Sequence, residues 1–269
     1  MSTENTSYVL SEPELVVLTT FFLALPLPPV FIGTSQQDVS VETVLGDAVD
    51  SLKSKGWLHV SGNNVDVDPN LVALLRTMAY SEQMTFIFWQ RQGEPLQQIA
   101  YYPGENFVVE QQILPEGEHR LALAQGKDFG KNLVMTLLDD DEGGEGQTRL
   151  TVQIRKDGWD DLLASRLAGN TEELRKALVA EAQDDKSLAD RLRFADDTLN
   201  ARLVIGIDCV YNRLDNQKEH VVFVLATTNN WLLSNSATEG WMQAVSVPRV
   251  ALRQATAAIF APLQSDVKQ

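Results

Sequence analysis

The spacing of apolar residues predicts helices in the first 80 residues. Ser11 precedes "EPELVVLTTFFLAL", whose first turn carries proline and two glutamates, so a helix should begin there and run to about Leu25. Apolar residues also recur at helical spacing in "VSVETVLGDAVDSLKSKG". The segments "WLHV" and "VDVD" then pair around Gly62, and Asp68 opens a third helix, "PNLVALLRTMA". The order of elements over residues 11–80 predicts a winged-helix-like unit.

From residue 85 the apolar pattern changes to that of strands. The runs "TFIFWQRQ", "PLQQIAYYP", "NFVVEQQ" and "EHRLALA" precede a helical "DFGKNLVMTLL". Four strands and a helix recur near the C-terminus, from "ARLVIGIDCVY" to "PRVALRQATAAIFAPL". We therefore predict a single α/β (α+β) domain with two antiparallel sheet segments, about 85–124 and 200–246. Its similar halves, 1–138 and 148–269, should be related by a pseudo-twofold axis.

Three segments outside the predicted strands are interpreted separately. The acidic, glycine-rich "DDDEGGEGQ", residues 139–147, predicts a mobile surface loop that folding does not require. The block 157–194 predicts two or three short helices beside the sheet, with Asn170 and Asp184 as caps. The apolar run 15–32 contains three prolines, which would break a membrane-spanning helix, so we interpret it as a buried helix and a turn.

Charge argues against the function that a winged helix first suggests. The formal net charge of the 269 residues is -15, and residues 1–80 hold nine acidic and three basic side chains. A DNA-binding module needs cations on its recognition helix and wing to neutralise phosphates. Packing or protein contacts are thus the favoured role of the winged-helix-like unit, and a transcriptional regulator or DNA-associated protein is the alternative.

Few residues in the chain are typical of catalysis. His119 and His220 each follow a glutamate, but neighbours on a regular strand point to opposite faces, so we interpret both as exposed residues at strand starts. The single cysteine cannot form an internal disulfide, and residues 139–147 lack the spacing of an EF-hand. Phosphate-binding glycine motifs and nucleophile elbows are missing from the sequence. We expect no enzyme activity, no cofactor, no bound metal and a cytoplasmic protein.

Aromatic residues on the predicted strands are the best candidates for contact with a partner protein. The partner-binding patch is predicted to centre on Trp231, Leu233 and Trp241. In "NNWLLSNS" we expect Trp231 to be displayed and Leu232 to lie in the core, although alternation alone does not determine which face is which. The aromatic group as a whole comprises Trp89, Tyr101, Tyr102, Phe107, Trp231 and Trp241.

The order of elements resembles the EspG chaperones of type VII (ESX) secretion. The resemblance is carried by "LSEPELVVL", "LKSKGWL", "VDVDPNLVALL", the two sheet-and-helix halves and the closing "VPRVALRQATAAIF". It implies a cytosolic, non-enzymatic protein with a pseudo-twofold α/β fold that holds the hydrophobic tip of a PPE-type substrate until export. We accordingly expect a chaperone-like protein that shields an apolar element of a partner and neither binds nucleic acid nor inserts into a membrane.

Overall fold

The protein is a mixed α+β structure, as predicted from the sequence. The computed structural model describes residues 7–26, 41–62, 64–124, 128–141, 150–168, 185–212 and 217–265. Ten of the described strands form an antiparallel sheet in the order β1-β7-β6-β5-β4-β9-β10-β11-β12-β8, and β2 and β3 form a separate hairpin. None of the helices in these ranges is both long and apolar enough to cross a bilayer. The described residues divide into two compact units.

The first unit lies within residues 1–86, 97–126 and 210–216. It holds the predicted winged-helix-like elements and the strands that follow them. Its helices and strands are β1 (Tyr8–Leu10), α1 (Glu12–Val16), α2 (Val41–Ser54), β2 (Leu58–Ser61), β3 (Asn64–Val67), α3 (Pro69–Tyr80), the start of β4 (Met84–Arg91), β5 (Gln97–Pro103), β6 (Val108–Ile113) and β7 (His119–Leu123).

The N-terminal helix begins where the sequence predicts and ends earlier than expected. Ser11 and Glu14 form a capping box, in which each side chain bonds the backbone N–H of the other residue. The buried Glu14 carboxylate also accepts two bonds from Lys55 Nζ, at 2.7 and 2.9 Å. After α1 the chain continues as a π-helix over Val17–Phe22, so the helix stops three residues before the predicted end.

The second unit comprises residues within 87–96, 127–209 and 217–269. The predicted caps Asn170 and Asp184 fall outside the described residues. Its elements are the rest of β4, α4 (Phe129–Asp140), β8 (Thr151–Arg155), α5 (Lys156–Ala168), α6 (Asp185–Leu199), most of β9 (Leu203–Asn212), β10 (Gln217–Leu225), β11 (Asn230–Asn235), β12 (Trp241–Val247) and α7 (Arg249–Ser265).

Helices α5 and α6 cover one face of the sheet in this unit. Trp159 of α5, Phe194 of α6 and Trp231 of β11 form the aromatic centre, with ring centroids 6.4 Å and 5.1 Å apart in successive pairs. Arg166 of α5 closes the C-terminal end of α6. Its guanidinium donates to the carbonyls of Thr198, Leu199 and Ala201, at 2.7–3.1 Å, and to Gln90 Oε1.

The first three residues of the predicted acidic loop are ordered. Asp139 and Asp140 are the last residues of α4, and Asp141 is its C-cap. Each forms a salt bridge with an arginine: Asp139 with Arg253, Asp140 with Arg91 and Asp141 with Arg202. The prediction of a mobile surface loop over 139–147 is therefore wrong for Asp139 and Asp140, which are helical, and for Asp141, which is buried. Residues 142–147 lie outside the described ones.

Candidate partner-binding surface

Trp231 lies in the core, which reverses the predicted face assignment of β11. Trp231 and Leu233 are fully buried, and Leu232 on the opposite face is half-buried. The indole N–H of Trp231 donates to Asp197 Oδ2 at 3.0 Å, and Phe194 meets the ring edge-to-face. If Trp231 faced solvent, the buried Asp197 carboxylate of α6 would lose this donor. The hydrogen bond to α6 therefore favours the buried position of Trp231.

Other aromatic candidates are also less exposed than predicted. Tyr101 and Tyr102 are buried, whereas Trp89, Phe107 and Trp241 are half-buried. Burial raises the pKa of the Tyr101 hydroxyl, and the nearby Glu110 carboxylate raises it further. The aromatic group consequently does not form one displayed surface, and only its half-buried members can contribute to a contact.

The second face of β11, β12 and β8 becomes progressively more exposed toward the edge of the sheet. Phe223 of β10 is fully buried, its cross-strand neighbour Leu232 is half-buried, Val245 is half-buried, and Thr151 is exposed. This row is bordered by Trp241, Gln243 and Gln153 on the same face. We define the open face as Thr151, Gln153, Leu232, Trp241, Gln243 and Val245.

The described helices cover this same side of the sheet only in part. Phe88 closely approaches Gly206, so these two residues share the face covered by α5 and α6, and Ile87 points to the other face. A Cβ atom on Gly130 of α4 would lie within 3.3 Å of both Ile87 and Phe260 of α7. Helices α4 and α7 therefore pack on the second face at β4.

The open face is apolar and amide-rich, with almost no charge. Arg155 is the only charged residue in β8, β11 and β12. Its guanidinium is bonded to the Asp157 carboxylate at 3.1 and 3.2 Å. The six residues of the open face are uncharged, in a chain with a formal net charge of -15. Its chemistry suits an uncharged apolar element of another protein better than a basic one.

The winged-helix-like unit lacks the cations that DNA binding requires. Lys55 is engaged by Glu14 and lies 5.0 Å from the Trp57 ring centroid, and Lys53 pairs with Asp50. The hairpin exposes an apolar pair, Val60 and its cross-strand partner Val65. Two of the three basic residues in this region are thus held by acidic neighbours, which further disfavours contact with phosphates.

Both histidines at the strand starts have hydrogen-bond partners that the sequence did not indicate. His119 is buried rather than exposed, and its Nδ1 lies 2.8 Å from Gln111 Nε2. His220 is half-buried, with Nδ1 against Asp208 Oδ1. The prediction of exposed histidines is wrong because cross-strand neighbours cover them. Among the described residues, no three His, Cys, Asp or Glu side chains come together as a metal site.

The comparisons identify a likeness in fold. No protein-family model matches the sequence, and no curated protein sequence is significantly similar to it. Among solved structures, the chain is similar to the type VII secretion system chaperone EspG5 of Mycobacterium tuberculosis, in complex with a PE25-PPE41 dimer. The likeness covers 95% of this chain and 96% of that chain, with a TM-score of 0.53 and 10% identity. The resemblance inferred from the order of elements is confirmed as a likeness of fold.

Proposed function

We propose that this protein is a non-enzymatic chaperone that binds a PE–PPE type secretion substrate in the cytosol and shields its apolar tip. The observation that carries the proposal is the likeness to EspG5, which extends over nearly the full length of both chains. The solved EspG5 structure contains a PE25-PPE41 dimer. A protein of this kind needs a rigid scaffold and an apolar contact surface rather than a catalytic centre.

The open face is the proposed contact surface. Leu232, Val245 and Trp241 supply apolar area, while Thr151, Gln153 and Gln243 offer hydrogen bonds at its border. Helices α4 and α7 already pack on this side of the sheet, so an apolar helical tip of the substrate would extend an existing helical layer. This surface replaces the patch centred on Trp231 and Leu233, and only Trp241 of that patch remains in it.

We also propose that the two halves are related by pseudo-twofold symmetry. The strands of the two halves run as 7-6-5-4 and 9-10-11-12 along the sheet, which is the mirrored order that a twofold relation would give. Each set is followed in the chain by one helix, α4 or α7. An internal superposition of β4–α4 on β9–α7 with matching connectivity tests this proposal.

Co-expression tests the proposed function. The tagged protein is produced together with PE–PPE pairs encoded by the same organism, and each purified complex is analysed by size-exclusion chromatography. We expect a stable complex that contains one PE–PPE pair and persists at 0.5 M NaCl, because the six residues of the open face are uncharged and the neighbouring Arg155 is paired with Asp157. If no PE–PPE pair co-purifies with the tagged protein, the proposed function is wrong.

The alternative of a DNA-associated protein is favoured only by the helix–hairpin–helix order of α2, β2, β3 and α3. A gel-shift assay with mixed-sequence duplex DNA at 50 mM salt distinguishes the two functions. The acidic composition predicts no shift. Binding that weakens steeply as salt is raised would favour the alternative.

A further inference from the structure

Strand β8 forms one edge of the ten-stranded sheet, and β12 is the only described strand that pairs with it. Five consecutive antiparallel pairs join the two strands without a bulge. At the ends of this ladder, the Lys156 N–H donates to the Gly240 carbonyl and the Ser246 N–H donates to the Leu150 carbonyl, both at 2.9 Å. The even-numbered residues of this segment therefore direct their backbone groups toward β12.

The odd-numbered residues of β8 direct their backbone groups toward the free edge. Because backbone direction alternates along an antiparallel strand, the N–H and C=O groups of Thr151, Gln153 and Arg155 point away from β12. Their side chains are exposed, whereas Val152 and Ile154 are buried in the core with residues of α5 and α6. A further strand could thus bond to this edge without displacing the core side chains of β8.

The centre of β8 lacks the features that usually protect an edge strand from pairing. Proline, bulges, central charges and very short length are the common protections. The strand reads "TVQIR", and its one charged residue, Arg155, lies at the end and is bonded to Asp157. The other edge strand, β1, has only three residues. Among the described strands, β8 is consequently the edge that is best suited to pair with another chain.

We propose that, in the absence of another partner, β8 pairs antiparallel with β8 of a second copy of this chain, about a twofold axis at Gln153. In this register Gln153 lies opposite Gln153 of the other copy, and Thr151 lies opposite Arg155. Each of these outward-facing residues then exchanges two backbone hydrogen bonds with the residue opposite it. The pairing concerns the free protein and uses the sheet edge, so it does not depend on the proposed chaperone function.

A second copy fits this edge because the strand is complementary to itself. The charged end of β8 lies opposite the uncharged Thr151, so two chains that each have a formal net charge of -15 bring no like charges together within the paired strands. Gln243 is the cross-strand neighbour of Gln153 on the open face. The twofold axis extends these two side chains into a row of four amides, each of which can donate and accept a hydrogen bond.

Introduced cysteines test the register directly, because the single native cysteine, Cys209, is buried. Gln153→Cys places the Cα atoms of the two thiol residues about 5.5 Å apart, which is within the range of a disulfide. Thr151→Cys places them more than about 10 Å apart, because the two positions are offset along the strands. Under mild oxidation we expect at least about fivefold more covalent dimer for Gln153→Cys than for Thr151→Cys. Equal yields would overturn the proposal.

Sedimentation velocity tests the association without introduced thiols. We expect the wild type to be monomeric at about 1 µM and dimeric at about 0.1 mM. Gln153→Glu sets two like charges opposite each other and should weaken the dimer at least about fivefold, whereas Thr151→Glu sets the same charge opposite Arg155 and should not weaken it. Both changes are at exposed positions, so their melting temperatures should match the wild type. A wild type that is monomeric at about 0.1 mM, or equal weakening in both variants, would contradict pairing through β8.

Discussion

The indole nitrogen of Trp231 and the carboxylate of Asp197 lie 3.0 Å apart although the residues are 34 positions apart in the chain. Asp197 Oδ2 also accepts from Asn229 Nδ2 at 2.8 Å. This pair joins α6 to β11 and orients the tryptophan toward the core. It thereby determines which side of β11 is left for contact with another protein.

Trp231 should be far more important for stability than Leu232. Trp231→Ala removes a fully buried ring and one partner of Asp197, so we expect a loss of about 3–5 kcal/mol in the free energy of unfolding. Leu232→Ala should cost about 1 kcal/mol, since Leu232 is half-buried. Urea unfolding of both variants checks this order. If Leu232→Ala were the more destabilising variant, Leu232 would be the core residue and Trp231 the displayed one, as predicted from the sequence.

Arg166 should stabilise the second unit through the end of α6. Arg166→Lys replaces a planar group that reaches three carbonyls by an ammonium that cannot match this geometry, so we expect a loss of about 1.5–3 kcal/mol. The control Arg155→Lys changes an exposed ion pair and should cost less than about 0.5 kcal/mol. Urea unfolding compares the two variants. Equal effects would show that the cap on α6 contributes little.

The two parts of the acidic run 139–147 should differ in their contribution to stability. Asp141 is buried and pairs with Arg202, so we expect Asp141→Asn to cost about 1–3 kcal/mol. Replacing residues 142–147 by a Gly-Ser linker of equal length should leave the melting temperature nearly unchanged, because this acidic segment contains no apolar residue. Differential scanning calorimetry measures both. A large drop for the linker would mean that this segment contacts the body of the protein.

Glu14 should contribute stability that disappears in acid. Burial alone would raise the pKa of its carboxyl, but bonds from Lys55 and from the Ser11 N–H lower it below the ordinary value of 4.5. A group with a lowered folded pKa stabilises the protein above pH 4.5 and loses that contribution as pH falls through the folded pKa.

Lys55→Met tests this pair. The variant leaves a buried, less well paired carboxylate, so we expect lower stability at pH 7 and a smaller loss between pH 4.5 and 3 than in the wild type. Urea unfolding at these pH values provides the measurement. The control Lys53→Met removes only an exposed pair with Asp50 and should change neither quantity. An unchanged acid profile in Lys55→Met would contradict the role of the pair.

Local sequence signals predicted the elements well. Ser11 and Asp68 begin helices as capping residues, and the glycine at 56, with φ 72°, follows the end of α2. These features depend on neighbours in the chain, which the sequence displays directly. Four strands and a helix were likewise correctly predicted twice.

The errors arose where distant residues decide the outcome. Alternation in β11 gives two faces, but only Asp197 and Phe194 on α6 determine that Trp231 is buried. His119 was predicted to be exposed because its hydrogen-bond partner, Gln111, lies on another strand. Asp139–Asp141 were predicted to be solvated because the arginines that pair with them are remote in the chain. Pairing between distant side chains leaves no local pattern that a single sequence could show.

The affinity of two matched valine-to-aspartate variants for a co-purified PE–PPE pair tests the central claim most directly. Val245→Asp places a charge on the open face, and Val60→Asp places the same charge on the exposed hairpin of the other unit. Calorimetric titration at pH 7.5 should show at least about tenfold weaker binding for Val245→Asp and a change of less than about twofold for Val60→Asp. Unweakened binding by a folded Val245→Asp variant, or a loss confined to Val60→Asp, would contradict the account.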